Sequence, residues 1–298
     1  MMEKEQRDLA EALGHLPEVA GLPVTLLGAG TDHLAFDAGG RFVFRVPRSA
    51  EAASSSESER RLTALLAPQL PLAIPLFRFV IGPTERLPFG AAGYARLPGA
   101  PAIGLVVDPP RRRSVARTLG AFLRVLHDVE LVLVSGAGVP SDDDPTLVAW
   151  SEQALEDVVA SVRVGAIDRD EAASLTRFLK SPPCGPYAPS LVHGDLAAEH
   201  VLLDAGGTVS GVIDWSDAMI GDRALDLAGL VHWGGEEMLT EALETYGACD
   251  VETLARARWF AACRAVADIV FGLAEHRPEY VTAGQQALRR LSLGYRSQ

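Results

Sequence analysis

The first third of the chain reads as strands with one helix among them. Residues 22–27 form a short apolar run that ends in Gly28-Ala29-Gly30. Extended character resumes over 33–37, before a turn at Ala38-Gly39-Gly40. Over 41–46 (RFVFRV) charged and apolar groups alternate with the period of a strand that buries one face, and Pro47 ends the run. A Ser/Glu-rich stretch at 54–58 opens a helix that runs to about residue 67, with Leu62, Leu65 and Leu66 as its inner stripe. Further strands are expected at 77–81 and 91–96. Leu97-Pro98-Gly99-Ala100-Pro101 suits a hinge or linker, because its prolines and glycine resist regular structure. Beyond it the period becomes helical. Residues 114–128 place Val115, Leu119, Phe122, Leu123 and Leu126 on one face, and helices are expected at 150–164, 168–180, 236–246, 251–275 and 279–293. The loop 135–145 between the first two carries three consecutive acids, Asp142, Asp143 and Asp144.

A chain of 298 residues is long enough for a large core and favours two lobes over one. The net charge of −12 argues against nucleic acid as a partner, which needs a basic surface. It suits a cationic small molecule drawn to an acidic cleft, and equally a surface kept soluble by acids. Cys184, Cys249 and Cys263 are odd in number and widely spaced, so neither a disulfide framework nor a zinc site is indicated. Residues 1–16 read as an amphipathic helix without the apolar core of a signal peptide. No apolar run approaches a membrane span. A cytoplasmic monomer is expected.

The chemistry concentrates in residues 191–234. A strand-like pair, Leu191-Val192, delivers His193-Gly194-Asp195. His200 follows five residues after Asp195, and Asp214 nineteen after it, at the end of a second strand-like run. A turn at Asp204-Ala205-Gly206-Gly207 predicts a hairpin that brings His200 and Asp214 together. One carboxylate to orient a hydroxyl and two metal ligands are what phosphoryl transfer asks of a protein, beyond positioning. Each residue alone also has an ordinary reading, Asp195 as a turn cap and His200 as a core histidine. Their co-occurrence favours the site. A nitrogen ligand is unusual for magnesium, which prefers oxygen.

HGDLAAEHVL, GVIDW and IGDRALDLAGL together resemble the aminoglycoside phosphotransferase family. They are also similar to macrolide phosphotransferases and, more distantly, to choline and protein kinases. The resemblance implies an α+β, bilobal protein-kinase-like fold. Its small antiparallel β-rich N-terminal lobe with one helix is residues 1–96. Its larger, mostly helical C-terminal lobe is residues 97–298, holding the catalytic and acceptor-binding groups. It implies Mg2+, and ATP or GTP as phosphoryl donor. Asp195 falls on the catalytic aspartate, and His200 and Asp214 on the metal ligands. His200 stands where the family usually has Asn, as in the subgroup of aminoglycoside 2''-kinases and macrolide kinases. Asp222 falls on a position that holds the catalytic loop through backbone N–H groups, with Asp226 and His193 as scaffold. RFVFRVPR matches the strand with the phosphate-binding lysine, so Arg45, or failing it Arg48, takes that role. Glu59, with Glu57 as fallback, takes the role of its helix partner. Gly28, Gly30 and Thr31 match the loop that covers the nucleotide, and Tyr94, Arg96 and Leu97 the hinge against its base.

The resemblance also implies a hydroxylated, cationic acceptor. Glu236, Glu237 and Asp268 are the candidates to meet its ammonium groups. Asp268 sits in an otherwise apolar helix stretch, where an acid needs a partner. Arg264, four residues earlier, is the local alternative. An aminoglycoside is the favoured acceptor. A macrolide, a basic peptide antibiotic or a metabolic alcohol on the same fold are the others, with a nucleotide-binding module lacking transfer activity as a reading of a different class.

Overall fold

A computed structural model describes residues 2–105, 108–142 and 146–295, the last four by backbone only. Asp143 and Asp144 lie outside the described residues. After helix α1 (Met2–Leu13) come strands β1 (Val24–Ala29), β2 (His33–Ala38) and β3 (Phe42–Pro47), helix α2 (Ala50–Leu66), and strands β4 (Phe77–Ile81) and β5 (Ala91–Ala95). The five strands form one antiparallel sheet in the order β1-β2-β3-β5-β4. α2 starts earlier than its Ser/Glu-rich stretch suggests, because the Ser49 hydroxyl accepts from the Ala52 N–H and caps it. Its face is also narrower than predicted. Leu62 and Leu66 are buried and Leu65 is exposed.

The remaining chain is mostly helical. It runs through β6 (Ala100–Pro101), α3 (Pro109–His127), α4 (Leu131–Val134), α5 (Val148–Arg163) and α6 (Arg169–Leu179). Asp108 caps α3 at the Arg111 N–H, with prolines in the first turn where no donor is required. Four short strands then carry the motif segment: β7 (Ser190–Val192), β8 (Val201–Leu203), β9 (Val209–Val212) and β10 (Met219–Gly221). β7 pairs with β10, and β8 lies between β6 and β9. Helices α7 (Ala224–Tyr246), α8 (Val251–Ala274) and α9 (Pro278–Tyr295) close the fold. α7 begins twelve residues before the expected start at 236. Its first half, including Leu225, Leu227, Leu230 and Val231, is buried all round and shows no stripe.

Two apolar cores form. One lies under the five-stranded sheet, around Phe36, Phe44 and Phe79, with Leu9 and Leu13 of α1. The larger lies among α3, α5, α7 and α8, around Phe122, Trp215 and Trp259. Leu62 and Leu66 of α2 join this second core rather than the sheet's own. α2 therefore fastens the sheet to the helices and fixes the cleft between them.

Candidate active site

The β8–β9 hairpin sets the centre of the cleft. Val201 pairs with Val212, so His200 lies opposite Ile213, whose N–H donates to the His200 carbonyl at 2.9 Å. This places His200 Nε2 3.8 Å from Asp214 Oδ2. On its other side His200 Nδ1 lies 2.8 Å from the Asp195 carbonyl oxygen. A carbonyl only accepts, so Nδ1 carries the hydrogen and, in the neutral ring, the Nε2 lone pair faces Asp214. Asp214 itself has φ 63°, a left-handed conformation uncommon for a side-chain-bearing residue but tolerated by Asp.

The loop that carries Asp195 is held from below. Asp226 Oδ2 accepts from the His193 N–H at 2.9 Å and Oδ1 from the Gly194 N–H at 3.0 Å. His127 Nε2, on α3, reaches the same carboxylate at 3.0 Å. Gly194 has φ +82°, and a Cβ there would lie 2.2 Å from the Asp217 carbonyl oxygen, so only glycine fits. The expected holder, Asp222, does something else. It accepts from the Ala224 N–H and pairs with Arg256 of α8. Backbone support falls instead to Asp226, one helical turn on, because that residue faces the loop.

On the sheet side Arg45, and not Arg48, reaches the carboxylates of the cleft. Its Nη1 donates to both oxygens of Glu59 at 2.8 and 2.7 Å. Its Nη2 reaches Asp214 Oδ1 at 3.0 Å, Ser216 Oγ at 2.7 Å and His33 Nδ1 at 3.0 Å. A lysine ammonium could not bridge so many partners at once. Glu59 also accepts from the Trp215 N–H, so α2, β3 and the end of the hairpin meet at one buried carboxylate. Arg48 instead donates to the carbonyls of Gly30 and Thr31 and braces the glycine loop. Glu57 pairs with Arg60 and Arg61 at the surface.

Charge is concentrated here. Burial would raise Asp214, but Arg45 and then His200 hold it well below the carboxylate range. Burial would likewise raise Asp195, and Arg264 and His200 hold it down. Burial lowers His200, and Asp195 with Asp214 outweigh this and raise it. Desolvation at the cleft, with Asp195 and then Asp214 adding to it, pushes Asp217 up to about 6. Burial would lower His33, and Arg45 adds to this, to about 4. Among the described residues no group of three or more His, Cys, Asp or Glu side chains can hold a metal alone. The donor set of His200 Nε2 and the Asp214 carboxylate nonetheless fits magnesium, which is commonly bound by one or two protein ligands together with substrate phosphates. Asp195, His200, Asp214, Arg45 and the glycine loop all border one cleft of about 740 Å³.

The sequence pattern of the phosphotransferase enzyme family matches residues 23–260. The chain belongs to that family. Viomycin phosphotransferase of Streptomyces vinaceus is 33% identical over 173 residues, 54% of this chain and 56% of its own length. The uncharacterized protein YcbJ of Bacillus subtilis is 25% identical over 220 residues, 70% and 69% of the two chains. Among solved structures, a macrolide 2'-phosphotransferase type I is 28% identical, with TM-score 0.65 over 95% of this chain and 96% of that one. The fold also matches the GDP and kanamycin complex of an APH(2") enzyme, with TM-score 0.76 at 23% identity over 97% and 99%. This phosphotransferase therefore has the kinase-like fold, and its reaction class is nucleotide-dependent phosphoryl transfer.

In this phosphotransferase Gly28, Gly30, Thr31, Tyr94, Arg96 and Leu97 all border the cleft. Arg96 also pairs with Asp37. Asp268 borders it as well, but Arg264 is not its partner. The Asp268 carboxylate lies 3.1 Å from His232 Nε2, in a poorly aligned contact. Glu236 and Glu237 do not border the cleft. Glu236 is exposed and forked onto Arg258, and Glu237 is exposed, because α7 turns them outward past Gly235. Sequence reasoning missed His33, Ser216 and Asp217 near the candidate metal ligands His200 and Asp214, and Asp157, Glu199 and Arg264 on the helical side. Asp217 follows GVIDW closely enough to have been suspected. Asp157 offered no signal beyond being one acid in an amphipathic helix.

Proposed function

We propose that this chain is a magnesium-dependent kinase that moves the γ-phosphate of ATP or GTP to a hydroxyl of an antibiotic-like small molecule, with an aminoglycoside as the favoured acceptor. The observation that carries the reading is the convergence of Asp195, His200, Asp214 and the Arg45–Glu59 pair on one cleft. Residues 1–96 are assigned to the nucleotide and 97–298 to catalysis and the acceptor, in a cytoplasmic monomer supplied with nucleoside triphosphate. No described helix is long and apolar enough to cross a membrane.

In this reading the acceptor hydroxyl lies against Asp195. Its oxygen attacks the γ-phosphorus, and the bond to the bridging oxygen breaks, so the nucleoside diphosphate leaves with the electron pair. The hydroxyl proton passes to the Asp195 carboxylate and on to solvent. Such a transition state is loose and needs position and charge more than a strong base. Arg45 presents a fixed positive charge towards the phosphates, and Gly28 and Gly30 border the same space. Magnesium bound at His200 and Asp214 would neutralise phosphate charge.

Asp157 and Asp268 border the acceptor side and suit ammonium groups. Trp150, Phe260, Phe271 and Tyr280 give the same side an apolar wall, which favours a macrolide as the second reading. Kanamycin-like and erythromycin-like panels, read by mass gain of one phosphoryl group, separate the two. Asp195→Asn should keep nucleotide binding and lose acceptor-dependent nucleoside diphosphate release by roughly 100- to 10,000-fold. Full turnover in that variant would sink the mechanism. Nucleotide binding by the wild type with no turnover on any acceptor would favour a binding module.

A further inference from the structure

The two carboxylate oxygens of Asp195 have different surroundings. Oδ1 accepts from Arg264 Nη1 at 2.5 Å. Oδ2 lies 3.4 Å from His200 Nδ1, a donor already committed to the Asp195 carbonyl. Arg264 reaches from α8, and its Nη2 donates to Glu199 Oε1 at 2.8 Å. Its Nε is buried with no hydrogen-bond acceptor among the described residues. The guanidinium is thus held between two carboxylates of the loop that carries the reacting group. The backbone beneath it is fixed, since Phe260, Ala261, Ala265 and Val266 of α8 are all buried.

We infer that Arg264 is a positioning residue for phosphoryl transfer. By occupying Oδ1 it fixes the Asp195 side chain in one rotamer, and it leaves Oδ2 to receive the acceptor hydroxyl. Glu199 anchors the far end of the guanidinium, so the carboxylate is gripped from a rigid helix rather than from its own loop. A carboxylate that already carries a guanidinium is a weak proton sink but a well-placed hydrogen-bond acceptor. A loose transition state tolerates the first and depends on the second. The planar fork matters, because one group must meet two carboxylates in fixed directions. This inference rests on the kinase reading above.

The test uses the full chain with Arg264→Lys, Arg264→Gln and Arg264→Ala, each checked for fold by circular dichroism and for nucleotide binding. Arg264→Gln should lower kcat about 100-fold, the scale of a small misplacement of a reacting group. The KM values for nucleotide and acceptor should stay close to wild type. Arg264→Lys should fall between the two, and millimolar guanidinium ion should restore part of the Arg264→Ala rate in a saturable way. Folded variants with wild-type kcat, or a lowered kcat that guanidinium does not restore, would overturn the assignment. A readout without turnover stands beside it. Asp195→Asn should shift the melting temperature in the wild-type background and shift it much less in Arg264→Gln, whereas additive shifts would show that the pair does not form. Lack of wild-type turnover on every acceptor would count against the kinase reading, and the melting cycle would then decide the contact alone.

Discussion

At the scale of single residues the cleft is held by side chains whose partners are far away in sequence. His33 accepts from Arg45 through Nδ1, and its Nε2 lies 2.6 Å from Ser56 Oγ, so the neutral ring links β2, β3 and α2. Its folded pKa of about 4 is set by burial and by Arg45. In the unfolded chain the same ring titrates near 6.5. Between these values the unfolded chain binds the proton first, so stability is full above about pH 6.5 and is lost as pH falls towards 4. The loss is at most about 3 kcal/mol. Urea midpoints at pH 7 and pH 4.5 should show it, and His33→Phe should flatten that part of the curve; an unchanged slope would remove His33 from the account. His200 and Asp214 could be picked out in the sequence by their spacing from Asp195, and Arg45 by the resemblance of RFVFRVPR to the family's strand. Arg264 could not. Asp268, one helical turn away, offered a plausible local partner, while the real ones lie 69 and 65 residues earlier.

At the scale of elements, helices α3 and α7 act as a bed for the catalytic loop. Asp226 takes the loop's N–H groups, and three residues later Gly229 lets the helix approach so closely that a Cβ would lie 1.7 Å from the Leu196 carbonyl oxygen. Gly229→Ala must displace either the helix or the loop. It should lower the melting temperature and reduce kcat more than the nucleotide KM. A variant with wild-type turnover and melting would show that the packing is more yielding than drawn. An apolar stripe revealed α3 in the sequence, and α5, α6, α8 and α9 were expected close to where they lie. The first half of α7 escaped because it is buried on every side, and a helix without a polar face has no period to read. The same misjudged start made Glu236 look like the opening of a helix at the cleft, when it lies past the break at Gly235.

At the scale of the whole molecule, the excess of acid is partly gathered where it matters. Asp32, Asp157 and Asp217 border the cleft and form no ion pair among the described residues. A cationic acceptor would feel this field, and exposed charges are screened over about 8–10 Å at ordinary ionic strength. Acceptor KM measured across a potassium chloride series should therefore rise several-fold for an aminoglycoside, on the order of the screening expected for a few charges, and stay nearly flat for a largely neutral acceptor. A flat profile for an active aminoglycoside would mean that Asp157 and Asp268 do not meet its ammonium groups. The change of period after the Pro/Gly-rich segment at 97–101 coincides with the passage from the five-stranded sheet to the mostly helical part of the chain. What the sequence did not show is the use made of that segment. Ala100 and Pro101 pair with Leu203 and Leu202, so the connector is itself a strand of the small sheet that carries His200. The joint and the ligand hairpin are one mechanical piece. The Ala102 N–H, just past the joint, donates to the carbonyls of both Ala198 and Val201, so the connector's backbone is tied to the chain on either side of the imidazole.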